Sequence, residues 1–365
     1  MNRRHILIGG GSLVALGAGA TWLGAMQMGS ASDYADAANA MRAVLPAHPE
    51  TRELIRYATL APNGHNTQPW QFVIAPGLIT IHPDFTRRTP VVDPDDHHLF
   101  VSLGCAAENL ALASAARGHR GDLVFDEEGE GSIALAHHPA PSETSALFDA
   151  IPVRQSTRAE FDGRAVSPTV LRTLAEAGKK PAVDLVLITD RPMMDRIRDL
   201  VVTGNSAQMA DPVFVSELKS WLRFNPRQAL RTGDGLYSAA TGNPALPDWL
   251  GPSAFDWFST TQSENDAYAR QIHSSAGIAV FVGVGEGPAH WVAVGQACQR
   301  FALQATALGL KHAFINQPVE VAHLRPELAA LVGLPGRRPD IVMRFGYGPT
   351  RPWSPRRPVA TVIAA

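Results

Sequence analysis

The sequence predicts an α+β fold of two tandem copies of one unit, paired within the chain as a pseudodimer, with a lid inserted in the second copy. Three observations carry this. Val101–Gly118 and Val292–Gly309 share a pattern about 190 residues apart, with Gly104 matching Gly295, Ala106 Ala297, Ala111-Leu112 Ala302-Leu303, Ala116 Ala307 and Gly118 Gly309. Short strand-like runs and helical periodicities surround both stretches. The spacing that leads into the two stretches is unequal, because the second copy holds extra chain at about 205–270.

Residues 1–32 read as a leader. Arg3-Arg4 precede an apolar run rich in Gly and Ala, and no charged residue follows until Asp33. That is a signal-peptide pattern, and the paired arginines point to the twin-arginine export machinery. The expected location is therefore periplasmic, or membrane-anchored facing the periplasm if the leader is retained. The first copy is set at 33–150. It begins with a soft helical or linker stretch to Leu45, then a helix over Glu50–Leu60 with Leu54, Ala58 and Ala61 on one face. Pro62 to Trp70 cannot continue that helix, since Pro, Gly and Asn dominate it. Gln71–Ala75 and Leu78–His82 read as paired strands. The first repeat helix follows, ending at Gly118 where a left-handed cap forms most easily. Strands near Asp122–Phe125 and Ser132–Leu135 complete the copy.

The second copy is set at 151–365. Ser167-Pro168 is a cap followed by proline at the first helical position, so a helix runs from there to about Gly178. Val183–Thr189 and Gly277–Val284 read as strands, the latter leading into the second repeat helix. Trp221, Phe224, Trp249, Phe255, Trp257 and Phe258 crowd the inserted segment, which suggests packing over something and so a structured lid. Within it Trp221 is expected to pack in the core, and Arg223, Arg231 and Asp234 to be solvated.

With 365 residues, a formal charge of −2 and two cysteines, the chain has room for two cores. It lacks the concentrated basic surface that nucleic acid requires, and it cannot form a disulfide framework. Cys105 and Cys298 read as buried free thiols. Asp93-Pro94-Asp95-Asp96-His97-His98 is expected to be a solvated turn rather than a metal site. No metal ligand set is expected. Gly283 to Gly287 lacks the lysine of a phosphate loop, and neither a nucleophile elbow nor a zinc-protease motif occurs.

Two patterns could carry chemistry. Arg154-Gln155-Ser156-Thr157-Arg158 puts two guanidinium groups and a hydroxyl at one turn, a set suited to phosphate, and Arg356-Arg357-Pro358 offers a second cationic pair. Taken singly, either is more often a solvated surface. Pro62, Asn63, Gly64, Asn66 and Gln68 make a stiff loop with neutral donors and acceptors. It reads either as an Asx-rich structural turn or as a surface for the edge of a planar heterocycle.

Together these motifs resemble the FMN-dependent nitroreductase-like family. The landmarks are Arg154/Ser156/Arg158, Ala61-Pro62 through Asn66-Thr67-Gln68-Pro69-Trp70, Gly295/Ala297, and Arg356/Arg357. The internal duplication with its insertion is most similar to the Acg-type fused branch. The resemblance implies a nitroreductase-like fold and one FMN between the copies. The second copy would supply Arg154, Gln155, Ser156, Arg158, the loop Ile315-Asn316-Gln317, and Arg356 or Arg357; the first would supply Pro62 to Gln68. It implies a monomeric pseudodimer that passes two electrons through flavin N5 to a nitroaromatic, quinone or similar small acceptor, from NAD(P)H or a protein donor. No side chain is required as a catalytic acid. The chain departs from the family pattern at Asn63-Gly64-His65, where a serine-containing start is common, and at Asn316-Gln317, where many members have Glu-Gly. Two other readings stand beside this one: a flavin-sequestering protein whose lid blocks turnover, and an exported solute-binding protein without flavin.

Overall fold

The computed structural model describes residues 28–364. Arg3-Arg4 and the leader up to residue 27 lie outside them. Helix α1 (Ala31–Ala40) is capped by the Ser30 hydroxyl, which accepts the Asp33 amide. Helix α2 (Thr51–Ala58) buries Leu54, Ile55, Tyr57 and Ala58. The hairpin of β1 (Trp70–Ala75) and β2 (Leu78–Pro83) precedes α3 (His97–Ala115), and β3 (Leu123–Phe125) and β4 (Ile133–Ala136) close the first half. A short α4 (Ala146–Ala150) leads into the second.

There, α5 (Pro168–Ala177) starts as the sequence predicts, with the Ser167 hydroxyl accepting the Val170 amide. Strand β5 (Val183–Ile188) follows. Helices α6 (Arg191–Ala210), α7 (Pro212–Ser220), α8 (Pro226–Thr232), α9 (Gly251–Phe258) and α10 (Thr261–His273) then fill the gap before β6 (Gly277–Gly283). Where the first half has a tight hairpin between its first two strands, the second has this whole segment. After it come α11 (Pro288–Ala307), β7 (Lys311–Phe314), α12 (Gln317–Glu320), α13 (Arg325–Leu331) and β8 (Ile341–Gly346).

The two sheets share one topology. The first runs β1-β2-β4-β3 and the second β5-β6-β8-β7, with every neighbouring pair antiparallel. Each thus pairs its strands in the order first, second, fourth, third. Burial differs between them. In β2 buried and half-buried positions alternate, as expected of a strand with one face on a core. Strand β6 is buried at every position, because Met194, Ile197 and Val201 of α6 and Ile272 of α10 pack a second core against its other face. The outer helices of the inserted segment therefore belong to the second core, and the expected bracket at 205–270 falls inside a longer excursion.

Helices α3 and α11 lie side by side at the centre. Both are apolar nearly all round, as buried helices must be. Their approach is set by the matched glycines. A Cβ on Gly104 would stand 2.1 Å from the Val292 carbonyl oxygen, and one on Gly295 would stand 2.1 Å from that of Val101. The contact is reciprocal, so the two backbones touch where the sequence repeat places its smallest residue. Gly118 and Gly309 take φ of +79° and +77°, the left-handed cap expected of them. Cys105 and Cys298 are both buried thiols. One continuous core includes both central helices and residues of both sheets. The chain end reaches back to the first half: Phe72 donates its amide to the Val362 carbonyl at 2.7 Å, and Ala364 donates to Phe72 at 2.8 Å.

Candidate functional site

Helix α2 ends at Ala58, and Pro62, which cannot donate a hydrogen bond, closes the turn that follows, so the Thr59, Leu60 and Ala61 carbonyls lack backbone partners. Side chains from mid-chain and from the C-terminal tail satisfy them. Arg154 Nη2 donates to Leu60 O at 3.0 Å, and Arg356 Nη2 donates to the same oxygen at 3.2 Å. Arg356 also donates to Thr59 O at 2.7 Å, Ala61 O at 3.1 Å and Asn66 Oδ1 at 2.8 Å. Arg42, just past the end of α1, sits 4.4 Å over the Trp353 ring and close enough to lower the pKa of Arg356. Among the described residues none of these three arginines pairs with a carboxylate, and the buried Arg154 Nε has no partner at all. Burial, then the Arg154 charge, lowers Arg42 to about 10; burial lowers Arg154 to about 10; and burial, then Arg42 and Arg154, lowers Arg356 well below its usual value. A helix C-terminus carries roughly half a negative charge, too little to balance three cations.

The segment that delivers Arg154 is rigidly held. The Thr157 amide donates to His312 O at 2.8 Å. From β8, the wholly buried Arg344 donates to Thr157 O at 3.0 Å and Ala159 O at 2.8 Å. Gln155 braces the tail instead of facing the cluster: its Nε2 donates to Arg351 O at 2.6 Å and its Oε1 accepts the Arg351 amide at 2.9 Å. Ser156 Oγ lies 3.4 Å from Arg154 Nη1. His312 is buried beneath this strand with both ring nitrogens unpartnered, and burial and the Arg154 charge hold it neutral.

The loop after α2 is conformationally strained. His65, Asn66 and Gln68 all take positive φ, at 46°, 55° and 55°, which costs non-glycine residues on the order of 1–2 kcal/mol each. Side-chain bonds hold it there. Asn63 Oδ1 accepts the Gln68 amide at 2.8 Å, a structural turn. Asn66 Nδ2 donates to Gly235 O and Pro355 O, both at 3.0 Å, while Gln68 Nε2 donates to Gly233 O at 2.9 Å and its Oε1 accepts the Arg357 amide at 2.9 Å. These amides clamp the loop to the inserted segment and to the tail rather than presenting free edges. Pro62 is buried, and Gly64 packs loosely, since a Cβ there would stand 4.0 Å from His98 Cβ.

The C-terminal arginines separate in role. Arg356 joins Arg154, whereas Arg357 Nη1 bonds Gln68 O at 3.1 Å and faces Asp84 at 3.7 Å. Ile315 lies in the second core, and Asn316 Oδ1 accepts the Val342 amide at 2.9 Å. Gln317 is buried on α12, close to Glu320 of the same helix. Glu320 accepts from Gln208 at 2.7 Å and lies 3.5 Å from His98 of α3. Burial raises Glu320 and pushes His98 down to about 4, so both tend toward neutral forms. Arg158 is exposed, near enough to Glu320 and Tyr268 to act on their charge.

Two expectations need correction. The Asp93–His98 stretch is not a solvated turn. Asp93 is buried and its carboxylate accepts the His98 and Leu99 amides at 2.9 and 3.0 Å, capping α3; His97 is buried with Nε2 2.9 Å from Asp340 Oδ1. No metal-binding group occurs among the described residues. The charges of the insertion are not all solvated either. Arg223 pairs with Asp234 at 2.7 Å in a buried bridge that also takes in Arg87 of the first half, while Arg231 is exposed as expected.

No family model matches the chain. A protein of Mycobacterium tuberculosis H37Rv, provisionally named an NAD(P)H nitroreductase, is 24% identical over 339 residues, 89% of this chain and 94% of its own. A second relative from that strain, provisionally named NAD(P)H nitroreductase acg, is 23% identical over 326 residues, covering 86% of this chain and 94% of its own. The chain therefore has homologues along most of its length that bear nitroreductase names. Among solved structures, an FMN-dependent nitroreductase of Mycobacterium smegmatis in complex with NADPH aligns over 59% of this chain and 96% of its own, at 16% identity and a TM-score of 0.39. That likeness is too slight to carry an argument.

Sequence reasoning missed Arg42, Arg344 and the His98–Glu320 contact. Arg42 had a signal: it is the sole lysine or arginine between Arg4 and Arg52. The other two had none, because their partners are set by packing alone.

Proposed function

We propose that this protein is an FMN-binding oxidoreductase of the nitroreductase type, a fused pseudodimer holding one FMN between its halves. The observation that carries the reading is the arginine cluster: Arg154 and Arg356 share one carbonyl oxygen, Arg42 lies beside them, and no described carboxylate offsets the charge. A dianionic phosphate would satisfy it through charge-assisted bonds, and the unpartnered Arg154 Nε and the Ser156 hydroxyl suit that ligand. The nitroreductase names of the homologues supply the redox class. Matching strand order and the reciprocal Gly104–Gly295 contact support the pseudodimer.

Arg154, Arg356 and Arg42 would hold the phosphate, while Gln155 and Arg344 fix the segments that carry the first two. When bound, FMN supplies the electron chemistry, taking two electrons at N5 and yielding them to a nitroaromatic, quinone or similar acceptor. The residues around Asn66, Gln317 and Arg158 would surround the ring system, and the inserted segment would keep bulk water from it.

A second reading has its own support. Asn66 and Gln68 are bonded to Gly235 and Gly233, so the insertion is clamped down on the loop. A flavin beneath it would be sequestered with little NAD(P)H turnover. Anaerobic bleaching separates the two. Bleaching by NADH or NADPH followed by reoxidation with a nitroaromatic or quinone supports the enzyme; a yellow protein inert to both donors supports storage or a dedicated protein donor. A preparation that stays colourless after FMN supplementation overturns the flavin reading. The proposal includes folded export by the twin-arginine route, for which Arg3-Arg4→Lys-Lys should trap the protein inside the cell.

A further inference from the structure

The outer surface of the inserted segment carries three large aromatic side chains without partners. Trp249, Trp257 and Phe258 are 69%, 65% and 74% exposed, within ten positions on α9 and the turn before it. Single apolar side chains are normal on a surface, but two on one short helix and a third just before it are an unusual concentration. The exposure does not come from loose attachment. The inner side of α9 is docked: a Cβ on Gly251 would stand 2.2 Å from the Phe224 ring, and Ala254 is buried. Beside Trp257, Asp256 pairs with Lys219, whereas the exposed Asp248 beside Trp249 accepts, among the described residues, only from Asn225.

The first described residue packs on α8, whose N-cap bonds the turn before α9. The Met28 carbonyl accepts the Arg227 amide at 2.8 Å. Two residues earlier, Asn225 Nδ2 donates to Asp248 Oδ1 at 2.5 Å and to Leu246 O at 2.9 Å, adjacent to Trp249. The stretch from Ile6 to Ser32 has no charged residue, and its described end, from Met28, lies against α8. Arg227 and Arg231 are exposed on the neighbouring α8.

We infer that this face, built by Trp249, Trp257 and Phe258, seats on a phospholipid surface. Indole suits that position because its body is apolar and its N–H can bond at headgroup level. A helix of eight residues cannot cross a bilayer, and no helix among the described residues is long and apolar enough to do so, so the contact is interfacial. The exposed arginines of α8 are available to lipid phosphates. The described N-terminus and the exposed aromatics are thus both tied to the segment around α8. The inference does not depend on whether the chain binds flavin.

The test uses the full chain carrying Trp257→Cys, or Val124→Cys on β3 as a control, labelled with an environment-sensitive thiol dye. Cys105 and Cys298 are buried and should stay unlabelled in the folded protein. On vesicles of phosphatidylcholine and phosphatidylglycerol, the dye at 257 should shift to the blue and be quenched by nitroxide-bearing lipid, while the dye at 124 should do neither. Adding Trp249→Ser and Phe258→Ser should abolish the quenching at 257. Three outcomes overturn the inference: a dye at 257 that stays in water on vesicle-bound protein, a blue shift without vesicles that grows with protein concentration (a second copy covers the face), or one without vesicles that is independent of concentration (the chain's own N-terminal segment covers it).

Discussion

Replacing Arg154 by alanine should weaken FMN binding without weakening the protein that lacks FMN. The two guanidinium groups on Leu60 O are held through bonds of 3.0 and 3.2 Å. At an effective dielectric of about 20, unit charges roughly 6 Å apart repel by about 3 kcal/mol. Against this stand the bond of Arg154 to Leu60 O, on the order of 1.5 kcal/mol, and a long one of 3.4 Å to Ser156 Oγ, while Leu60 O keeps Arg356 as a donor. Without a ligand, the substitution should therefore leave the melting temperature unchanged or raise it. With FMN the balance reverses. Loss of a charge-assisted phosphate bond costs about 1.5–3 kcal/mol, or roughly 10- to 150-fold in Kd. Quenching of FMN fluorescence gives the Kd, and melts with and without FMN give the two stabilities. A variant with an FMN Kd within twofold of the parent would remove Arg154 from the site. A ligand-free variant melting well below the parent would refute the repulsion.

The other predictions concern packing and pH. Gly104→Ala places a methyl 2.1 Å from the Val292 oxygen and 2.9 Å from its carbonyl carbon, backbone that cannot rotate away, so the central helices must separate. A loss of about 3 kcal/mol or more in urea unfolding is expected, and a loss under 1 would mean the crossing is slack. Asp340 is raised to about 6 by burial, above its unfolded value near 4. Between those values the folded state holds the extra proton, so this group makes stability fall as pH rises from 4 to 6, and the penalty persists above 6. For Asp340→Asn, the melting temperature relative to the parent should rise across that window; an offset flat in pH would show that Asp340 does not titrate there.

Local features were legible without the fold. Ser167-Pro168 starts a helix by its own chemistry, and Gly118 and Gly309 end theirs because only glycine turns left-handed at little cost. The repeat marked Gly104 and Gly295 as equivalent, and only the structure showed that they meet, a side chain reduced to hydrogen letting two backbones touch. Arg154, Asn66 and Arg356 could be named from their motifs.

What they bond to could not. Asn66 meets Gly235 across 169 positions and Arg356 meets Thr59 across 297, and no local pattern encodes such partners. The tertiary structure alone decided that Arg356 rather than Arg357 joins Arg154, that Asp234 is buried between Arg223 and Arg87, and that Trp249 and Trp257 face outward. Residue type fixes which charge or ring a chain position carries. Whether that group is paired, stranded or left in water depends on what other segments bring beside it, and here those segments come from opposite ends of the chain.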